Sequence, residues 1–360
     1  MTDENQLKTF VIAEIGVNHD GSLEKAFQLV DAASNSGADA VKFQTFDVDH
    51  LVTMDAEKAE YQQVSTSLNE SQYQMLKKLQ LDFASHFHLK DHAEGLGLQF
   101  ISTAFDQRSL RFLTQDLNLP ILKISSGEIT NGPLLLNFAE TGRKIILSTG
   151  MSTLKEVRTA LSVLAFGLLG RVNPTHEAFL SAFESHEGQQ ALKETVTLLH
   201  CTTEYPAPMD SVNLKAMITL SEIFGLQVGY SDHTLGCLMP TIAVALGASV
   251  IEKHLTLDRT WDGPDHSASL EPVEFRRMVE EIRSVESAMG TGEKAPHSCE
   301  VKNLAIARKS LVAARRINRG TKIQEDDLIA KRAGKGRSPM EYWDLVDSEA
   351  IKDFKPDDLV

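Results

Sequence analysis

The chain has 360 residues, of which 42% are hydrophobic and 24% charged, and its formal net charge at pH 7 is −14. This length allows two or three domains, or one large domain with a small one, and the composition excludes wholesale disorder. A chain this acidic is also a poor general binder of nucleic acid or of anionic membranes. Any anionic substrate must therefore be held by a local group of cations.

The cysteines and the N-terminal residues bear on the compartment. The sequence has three cysteines, Cys201, Cys237 and Cys299, and no CxxC motif. The odd number and the missing motif argue against a disulfide framework and against a thiolate zinc site. The sequence starts with MTDENQLKTF, which lacks the basic-then-apolar pattern of a secretory signal. Its longest apolar stretch, residues 242–251, is about half of a transmembrane span. We expect a soluble, cytoplasmic protein.

Short β-rich runs alternate with helical patterns from residue 10 to about residue 290. Ser22 is a candidate helix N-cap after the GVNHDG turn, and apolar residues then recur at spacings of three and four. Thr153 and Glu156 have the spacing of a capping box. Residues 50–95 and 165–195 are longer than one crossover helix requires, so we expect an extra excursion in each. The eight predicted strands are residues 10–15, 40–45, 98–103, 121–125, 144–148, 196–201, 226–231 and 249–254.

Eight strands that alternate with helices in this way predict a (β/α)8 TIM barrel. A doubly wound sheet is the competing fold, but it would usually place a GxGxxG fingerprint after the first strand, and GVNHDG does not match it. Polar side chains end every predicted strand, and a barrel enzyme requires them there because its active site lies at the carboxyl ends of the strands. They include Glu14, Lys42, Gln44, Ser102, Thr103, Lys123, Ser126, Glu128, Ser148, Thr149, His200, Cys201, Thr202, Ser231, Asp232, His233, Glu252, Lys253 and His254.

The composition and pattern of the sequence change after residue 290, which predicts a second domain. The segment MGTGEKAPHS, residues 289–298, is rich in glycine and small polar residues, and short strand-and-turn patterns follow it. We therefore divide the chain into a catalytic barrel of residues 1–288, a linker of residues 289–303 and a small β-rich domain of residues 304–360. Ten arginines and lysines fall between positions 308 and 337. They form either a solvated basic face or a lid that brings cations to an anionic substrate.

A series of motifs in order along the chain resembles the sialic acid synthase family, which includes the N-acetylneuraminate and legionaminic acid synthases. The resemblance implies a TIM barrel followed by a C-terminal SAF (antifreeze-like) domain. It also implies that the protein is a transferase that condenses phosphoenolpyruvate with an N-acetylmannosamine-type sugar. The motifs are AEIGVNH (13–19), VKFQT (41–45), LKISSGE (122–128), ILSTGM (146–151), LHCTTEYP (199–206), GYSDHT (229–234), IEKH (251–254), GPDHSASLEP (263–272) and KRAGKG (331–336).

In the family's reaction, C3 of phosphoenolpyruvate attacks the aldehyde of the open-chain sugar, water adds at C2, and phosphate leaves with C–O cleavage. Ammonium groups at strand ends suit the phosphate and carboxylate, and serine hydroxyls with nearby glycine N–H groups can donate hydrogen bonds to them. The phosphoenolpyruvate contacts implied by the resemblance are Lys42, Lys123, Ser126, Ser148 and Ser231.

Two histidines are the candidate metal ligands. His233 and His254 end neighbouring predicted strands, so their imidazoles could share one divalent cation and leave open positions for water and the aldehyde oxygen. Imidazole ligands alone do not choose the metal. The resemblance implies Mn²⁺ or Mg²⁺. Taken separately, each histidine is more typical of a hydrogen-bonded core residue; the paired placement at strand ends and the motifs favour metal ligands instead.

The remaining site residues also follow from the resemblance. Glu14 and Glu128 are the candidate catalytic carboxylates, and which of them acts as general base is left open because sequence shows no geometry. Substrate contacts are expected at Asp265, Tyr205 and Thr203, although some family members carry Asn at the position of Thr203. Arg332 is expected to reach the sugar's N-acetyl group from a partner subunit, which implies a domain-swapped homodimer.

Three functions remain open at this point: a nonulosonate synthase, another barrel enzyme that uses phosphoenolpyruvate, and a non-catalytic binding protein. The synthase is the main hypothesis, with N-acetylmannosamine as its substrate and N-acetylneuraminate as its product. Legionaminate synthesis from 2,4-diacetamido-2,4,6-trideoxymannose is the alternative, and pseudaminate synthesis stands behind it. A barrel enzyme that uses an aldose phosphate would need a second phosphate site and no SAF lid. A non-catalytic sugar-phosphate binding protein would be expected to lack one of the carboxylates or histidines.

Overall fold

Eight parallel strands close into a barrel in sequence order, as the sequence predicts. The structure is a computed structural model that describes residues 8–66 and 70–360. Each observed strand lies within one or two residues of its predicted position. The barrel strands are β1 (Phe10–Gly16), β2 (Ala40–Thr45), β3 (Gln99–Ala104), β4 (Ile121–Ile124), β5 (Lys144–Ser148), β6 (Val196–Cys201), β7 (Gln227–Asp232) and β8 (Val250–His254).

Helices surround the barrel, and both predicted excursions are present. Residues 50–95 contain the end of a short helix (Val48–Leu51) and two further short helices (Glu60–Ser65 and Gln72–Leu79) before the crossover helix (Phe83–Gly95). Residues 165–195 contain two helices, His176–Glu184 and His186–Thr195. The Ser22 cap and the Thr153–Glu156 capping box are confirmed. The helices of this part are α1 (Leu23–Asn35), α2 (Val48–Leu51), α3 (Glu60–Ser65), α4 (Gln72–Leu79), α5 (Phe83–Gly95), α6 (Gln107–Arg111) with a π-helical extension (Phe112–Asp116), α7 (Gly132–Glu140), α8 (Leu154–Leu168), α9 (His176–Glu184), α10 (His186–Thr195), α11 (Lys215–Phe224), α12 (Leu238–Ala245) and α13 (Pro272–Met289).

The inside of the barrel is divided into an apolar layer and a polar layer. The apolar layer comprises Ile12, Ala40, Ile101, Ile146, Leu199 and Val250, all buried, with Ile121 partly buried against them. Side chains two residues apart on a strand point to the same face, so the next inward residue of each strand forms a layer nearer the carboxyl ends. We call this second set the polar layer; it comprises Glu14, Lys42, Thr103, Lys123, Ser148, Cys201, Ser231 and Glu252.

Strand register brings neighbouring members of the polar layer together. Glu14 lies opposite Lys42 on β2, and Ser231 lies opposite both Cys201 on β6 and Glu252 on β8. The apolar layer beneath them excludes water from below. Outside the strands, a larger apolar core packs the strands against the helices.

Residues Met1–Gly290 and Thr291–Val360 form two compact units. In the second, β9 (Ser310–Ala313) pairs antiparallel with β10 (Leu328–Lys331), which confirms the small β-rich domain. Its core contains Leu311, Ile317, Ile323, Leu345 and Phe354. The predicted linker of residues 289–303 is partly helical, because α14 (Ser298–Ala307) begins within it; α15 (Tyr342–Leu345) follows later. Over the described residues, none of the helices has the length and apolar character needed to span a bilayer.

Candidate active site

Four buried charged groups form the centre of the polar layer. The Lys42 ammonium pairs with Glu14 Oε2 at 2.6 Å and lies 3.8 Å from Glu252 Oε1. The Lys123 ammonium lies 3.8 Å from the same Glu252 oxygen. Ser231 Oγ donates to that oxygen at 3.0 Å. Two cations and two carboxylates thus share the strand ends, with Glu252 between both lysines.

Burial shifts the protonation equilibria of this cluster. Burial raises the pKa of Glu14 to about 7, although Lys42 opposes the shift and Glu252 adds to it. Burial also opposes the charge on Lys42, but the neighbouring carboxylates of Glu14 and Glu252 outweigh it and raise the lysine pKa. Burial lowers the pKa of Lys123, which Glu252 offsets only in part. Glu14 can therefore exchange a proton near neutral pH.

Hydroxyl and N–H donors converge beside Lys123. Its ammonium donates to Ser148 Oγ at 2.7 Å, and Ser126 Oγ accepts from Gly150 N at 3.0 Å and contacts Cys201 Sγ at 3.1 Å. Thr203 Oγ1 is buried without a hydrogen-bond partner. Charge, hydroxyls and a free buried oxygen suit an oxyanion such as phosphate.

Gly150 allows this group of donors to approach closely. A Cβ at this position would lie 2.3 Å from Thr203 Oγ1, 2.8 Å from Ser126 Oγ and 2.9 Å from Cys201 Sγ. All three distances are far below van der Waals contact. The three side chains can therefore stay close together only because residue 150 has no side chain.

The two histidines lie side by side at the ends of β7 and β8, with ring centroids 5.6 Å apart. His233 Nδ1 donates to the Thr202 carbonyl at 2.6 Å, which leaves Nε2 as the unprotonated nitrogen. His254 Nδ1 is buried without a hydrogen-bond partner. Burial lowers the pKa of His233 to about 4 and that of His254 well below its usual value, so both rings are neutral and able to bind a metal.

Tyr205 covers the histidine pair. Its ring centroid is 4.1 Å from that of His233 and 5.6 Å from that of His254, and Tyr61 stacks on its other side at 5.0 Å. Among the described residues, no group of three or more His, Cys, Asp or Glu side chains is arranged to hold a metal ion. Within the part of the chain that the structure describes, the histidine pair thus has no third protein ligand of these types.

Asp265 approaches the histidine pair from the loop after β8. Its Oδ2 is 3.8 Å from His254 Nδ1, and burial raises its pKa to about 6. The neighbouring His266 is fully buried and lies 3.1 Å from Asp20 and 2.7 Å from Thr256 Oγ1. His266 therefore anchors the loop that carries Asp265.

Glu128 follows β4 in the barrel, and Arg332 belongs to the second compact unit. Glu128 is in the 3₁₀ turn Ser126–Glu128 after β4, and Asn131 Nδ2 donates to its Oε2 at 2.7 Å. Arg332 follows β10 in the second compact unit and is exposed there.

The polar layer also contains residues to which the sequence analysis gave no role. Glu252 is the main one, with Thr103, which accepts from Lys42 at 3.2 Å, and Cys201. Side-chain alternation could have found them, since residues 252 and 254 share the inner face and residue 253 does not. Lys253 instead pairs with the fully buried Asp232 at 2.6 Å.

Known proteins of one family are similar to this chain in sequence and in fold. The NeuB family matches residues 29–294, and the SAF domain matches residues 308–360. The chain belongs to the NeuB family. It is 46% identical over 353 residues to the N,N′-diacetyllegionaminic acid synthase of Campylobacter jejuni, covering 98% of this chain and 99% of that protein.

Two further relatives agree with this assignment. The protein of the same name from Legionella pneumophila is 46% identical, over 96% of this chain and 91% of the relative. The crystal structure of the N-acetylneuraminic acid synthetase from Leptospira borgpetersenii in complex with citrate matches with a TM-score of 0.67 at 29% identity, over 84% of this chain and 94% of that one. The chain is thus an enzyme of the sialic and legionaminic acid synthase group.

Proposed function

We propose that this enzyme is an N,N′-diacetyllegionaminate synthase. It would join phosphoenolpyruvate and 2,4-diacetamido-2,4,6-trideoxymannose, with one water, to give N,N′-diacetyllegionaminate and phosphate. The observation that carries this proposal is the 46% identity, over nearly the whole chain, to two proteins of that name. N-acetylmannosamine, the substrate of the main hypothesis in the sequence analysis, takes second place, supported by the Leptospira structure at 29% identity.

The phosphoenolpyruvate anion would bind against the polar layer. Lys123 and Lys42 supply positive charge within a water-poor site, where it acts more strongly than in solvent. The hydroxyls of Ser148 and of Ser126, which accepts from the Gly150 N–H, would donate directed hydrogen bonds to phosphate oxygens. The 2.7 Å contact between Lys123 and Ser148 supports a shared role for these two side chains.

The carboxylates would handle protons and sugar hydroxyls. Glu14, whose pKa burial raises to about 7, can take up a proton from the attacking water and return it at working pH. Asp265 can accept a hydrogen bond from a sugar hydroxyl near His254. Glu128 is oriented by the hydrogen bond from Asn131 and can contact the substrate from the β4 side.

We propose that His233 and His254 bind one divalent cation, Mn²⁺ or Mg²⁺. The buried, unpartnered Nδ1 of His254 and the neutral ring of His233 fit this role. A bound cation would act as a Lewis acid toward the aldehyde oxygen. Thr202 fixes the His233 ring through its carbonyl, and Tyr205 shields both rings from solvent.

We propose further that the enzyme is a cytoplasmic, domain-swapped homodimer with Arg332 on the partner's sugar. The resemblance of residues 331–336 to the family motif supports this assignment. A guanidinium is well suited to the acetamido carbonyl because it donates several hydrogen bonds in a fixed geometry.

A phosphate-release assay with phosphoenolpyruvate, Mn²⁺ and each sugar separately tests the proposed reaction. We expect faster turnover with the diacetamido sugar, and no release of phosphate with either sugar would refute the proposal. Replacement of His233 by alanine should abolish turnover together with Mn²⁺ binding measured by calorimetry. Near-wild-type, metal-dependent turnover in that variant would rule out His233 as a ligand.

A further inference from the structure

A cavity of about 1460 Å³ extends outward from Tyr205, and we call it the outer cavity. Tyr205 forms part of its wall while its ring packs 4.1 Å from that of His233, so the cavity begins where the histidine pair ends. An open-chain sugar that presents its aldehyde carbon to the histidines extends its remaining carbons past Tyr205. The outer cavity therefore lies where the substituents at the far end of a sugar held in this way would bind.

The charges around the outer cavity are unfavourable for a phosphorylated sugar. Of the described residues, five acidic side chains but only two lysines line it, and both lysines are already paired. Lys25 lies 2.7 Å from Asp20 and 4.2 Å above the Trp261 ring, and Lys78 forms an ion pair with Glu70. A phosphate dianion would thus meet a net negative wall, which costs affinity. The acidic lining residues are Asp20, Glu60, Glu70, Glu204 and Asp262.

One wall of the outer cavity is apolar. Met75 and Leu79 lie one turn apart on α4, and both line the cavity and are buried. The rings of Tyr61 and Trp261 complete this wall. A methyl group gains free energy against such a surface, whereas a hydroxyl group that finds no partner there loses it.

The apolar wall is held against the barrel by a close backbone contact. Gly21, in the loop between β1 and α1, lies so near α4 that a Cβ would come within 2.2 Å of the Lys78 carbonyl oxygen. Lys78 lies immediately before Leu79 in α4. The position of Met75 and Leu79 is therefore fixed relative to the strand ends, as recognition of a single methyl group requires.

We propose that Met75, Leu79 and Trp261 determine specificity at the C6 end of the sugar: they select an uncharged 6-deoxy sugar over its 6-hydroxyl analogue, and the acidic lining excludes a 6-phosphate. This proposal rests on the proposed synthase function and extends it to the residues that choose the substrate. The gain or loss of one methyl group in an apolar pocket changes kcat/KM by about 10–200-fold.

The first test compares two leucines of the same helix. Leu79→Ala removes part of the wall, and Leu76→Ala is the matched control because Leu76 does not line the cavity. We expect the ratio of kcat/KM for the diacetamido sugar to that for 2,4-diacetamido-2,4-dideoxymannose, which differs from it only by the 6-hydroxyl group, to fall about tenfold or more in Leu79→Ala only. The KM for phosphoenolpyruvate should not change in either variant. An unchanged ratio in Leu79→Ala, or an equal fall in both variants, would overturn the proposal.

The second test needs no substitution and holds even if a variant fails to fold. With the unaltered protein, N-acetylmannosamine 6-phosphate should neither be turned over faster nor inhibit more strongly than N-acetylmannosamine. Tighter binding of the phosphorylated sugar would overturn the charge argument. If no sugar consumes phosphoenolpyruvate, the proposed function itself fails; if the diacetamido sugar does and these comparisons fail, only the specificity proposal is lost.

Discussion

Replacing Lys123 by methionine removes one of the two buried ammonium groups while retaining a side chain of similar length. Lys123 is only 3% exposed, so solvent and salt screen its charge little. A hydrogen bond to a charged group contributes about 1.5–3 kcal/mol. Since 1.4 kcal/mol is a factor of ten, we expect the KM for phosphoenolpyruvate to rise about 10- to 150-fold.

Steady-state kinetics with each substrate varied in turn measure this effect. The KM for the sugar should be unchanged, because Lys123 lies beside Ser148 in the polar layer rather than near the outer cavity. Folding should be preserved, since Glu252 keeps Lys42 at 3.8 Å and Ser231 at 3.0 Å. Lys155→Met on the exposed surface of α8 is the control. A KM for phosphoenolpyruvate within twofold of the wild-type value at unchanged kcat would refute the assignment of Lys123 as a phosphate contact.

Three further predictions concern the hydrogen-bond donors around Gly150, the proposed dimer and the second compact unit. Gly150→Ala places a methyl group 2.3 Å from Thr203 Oγ1 and should raise the KM for phosphoenolpyruvate, whereas Gly95→Ala, which meets open space, should not. Co-expressed Arg332→Ala and His233→Ala subunits, each inactive alone, should regain about a quarter of wild-type activity if the domains are swapped, and none if each subunit closes its own site. Asp327→Ala removes contacts to Arg315 Nε (2.5 Å) and Gln324 N (2.8 Å), so amide exchange in the full chain should quicken over residues 308–360 and not in the barrel. Although burial opposes ionisation, these contacts lower the pKa of Asp327, so the stabilisation that they give is present at neutral pH. The exchange rates of Asp327→Ala and of the wild-type protein over residues 308–360 should become equal once the pH falls below that pKa.

The barrel could be predicted because local patterns encode it. Each strand is a short β-rich run, and the caps at Ser22 and Thr153 use hydrogen bonds within one helical turn. The polar side chains at the strand ends could be predicted in the same way, because each comes at the end of a β-rich run. Strand alternation would have sharpened this prediction, because it separates Glu252 on the inner face from Lys253 on the outer one.

The outer cavity could not be predicted in the same way. Residues 50–95 indicated only an extra excursion, because the docking of α4 depends on a tertiary contact between Gly21 and Lys78. The stacking of Tyr61 on Tyr205 joins residues 144 positions apart, which no local pattern encodes. In the proposal, the choice between a 6-methyl and a 6-hydroxyl sugar depends on these contacts, which is why the motifs alone left it open.

A competition experiment tests the central claim most directly. Phosphoenolpyruvate is supplied with equal concentrations of 2,4-diacetamido-2,4,6-trideoxymannose and N-acetylmannosamine, and the two nonulosonate products are measured by mass spectrometry. At equal substrate concentrations the product ratio equals the ratio of kcat/KM values. We expect N,N′-diacetyllegionaminate to exceed N-acetylneuraminate by about tenfold or more. An excess of N-acetylneuraminate would contradict the account.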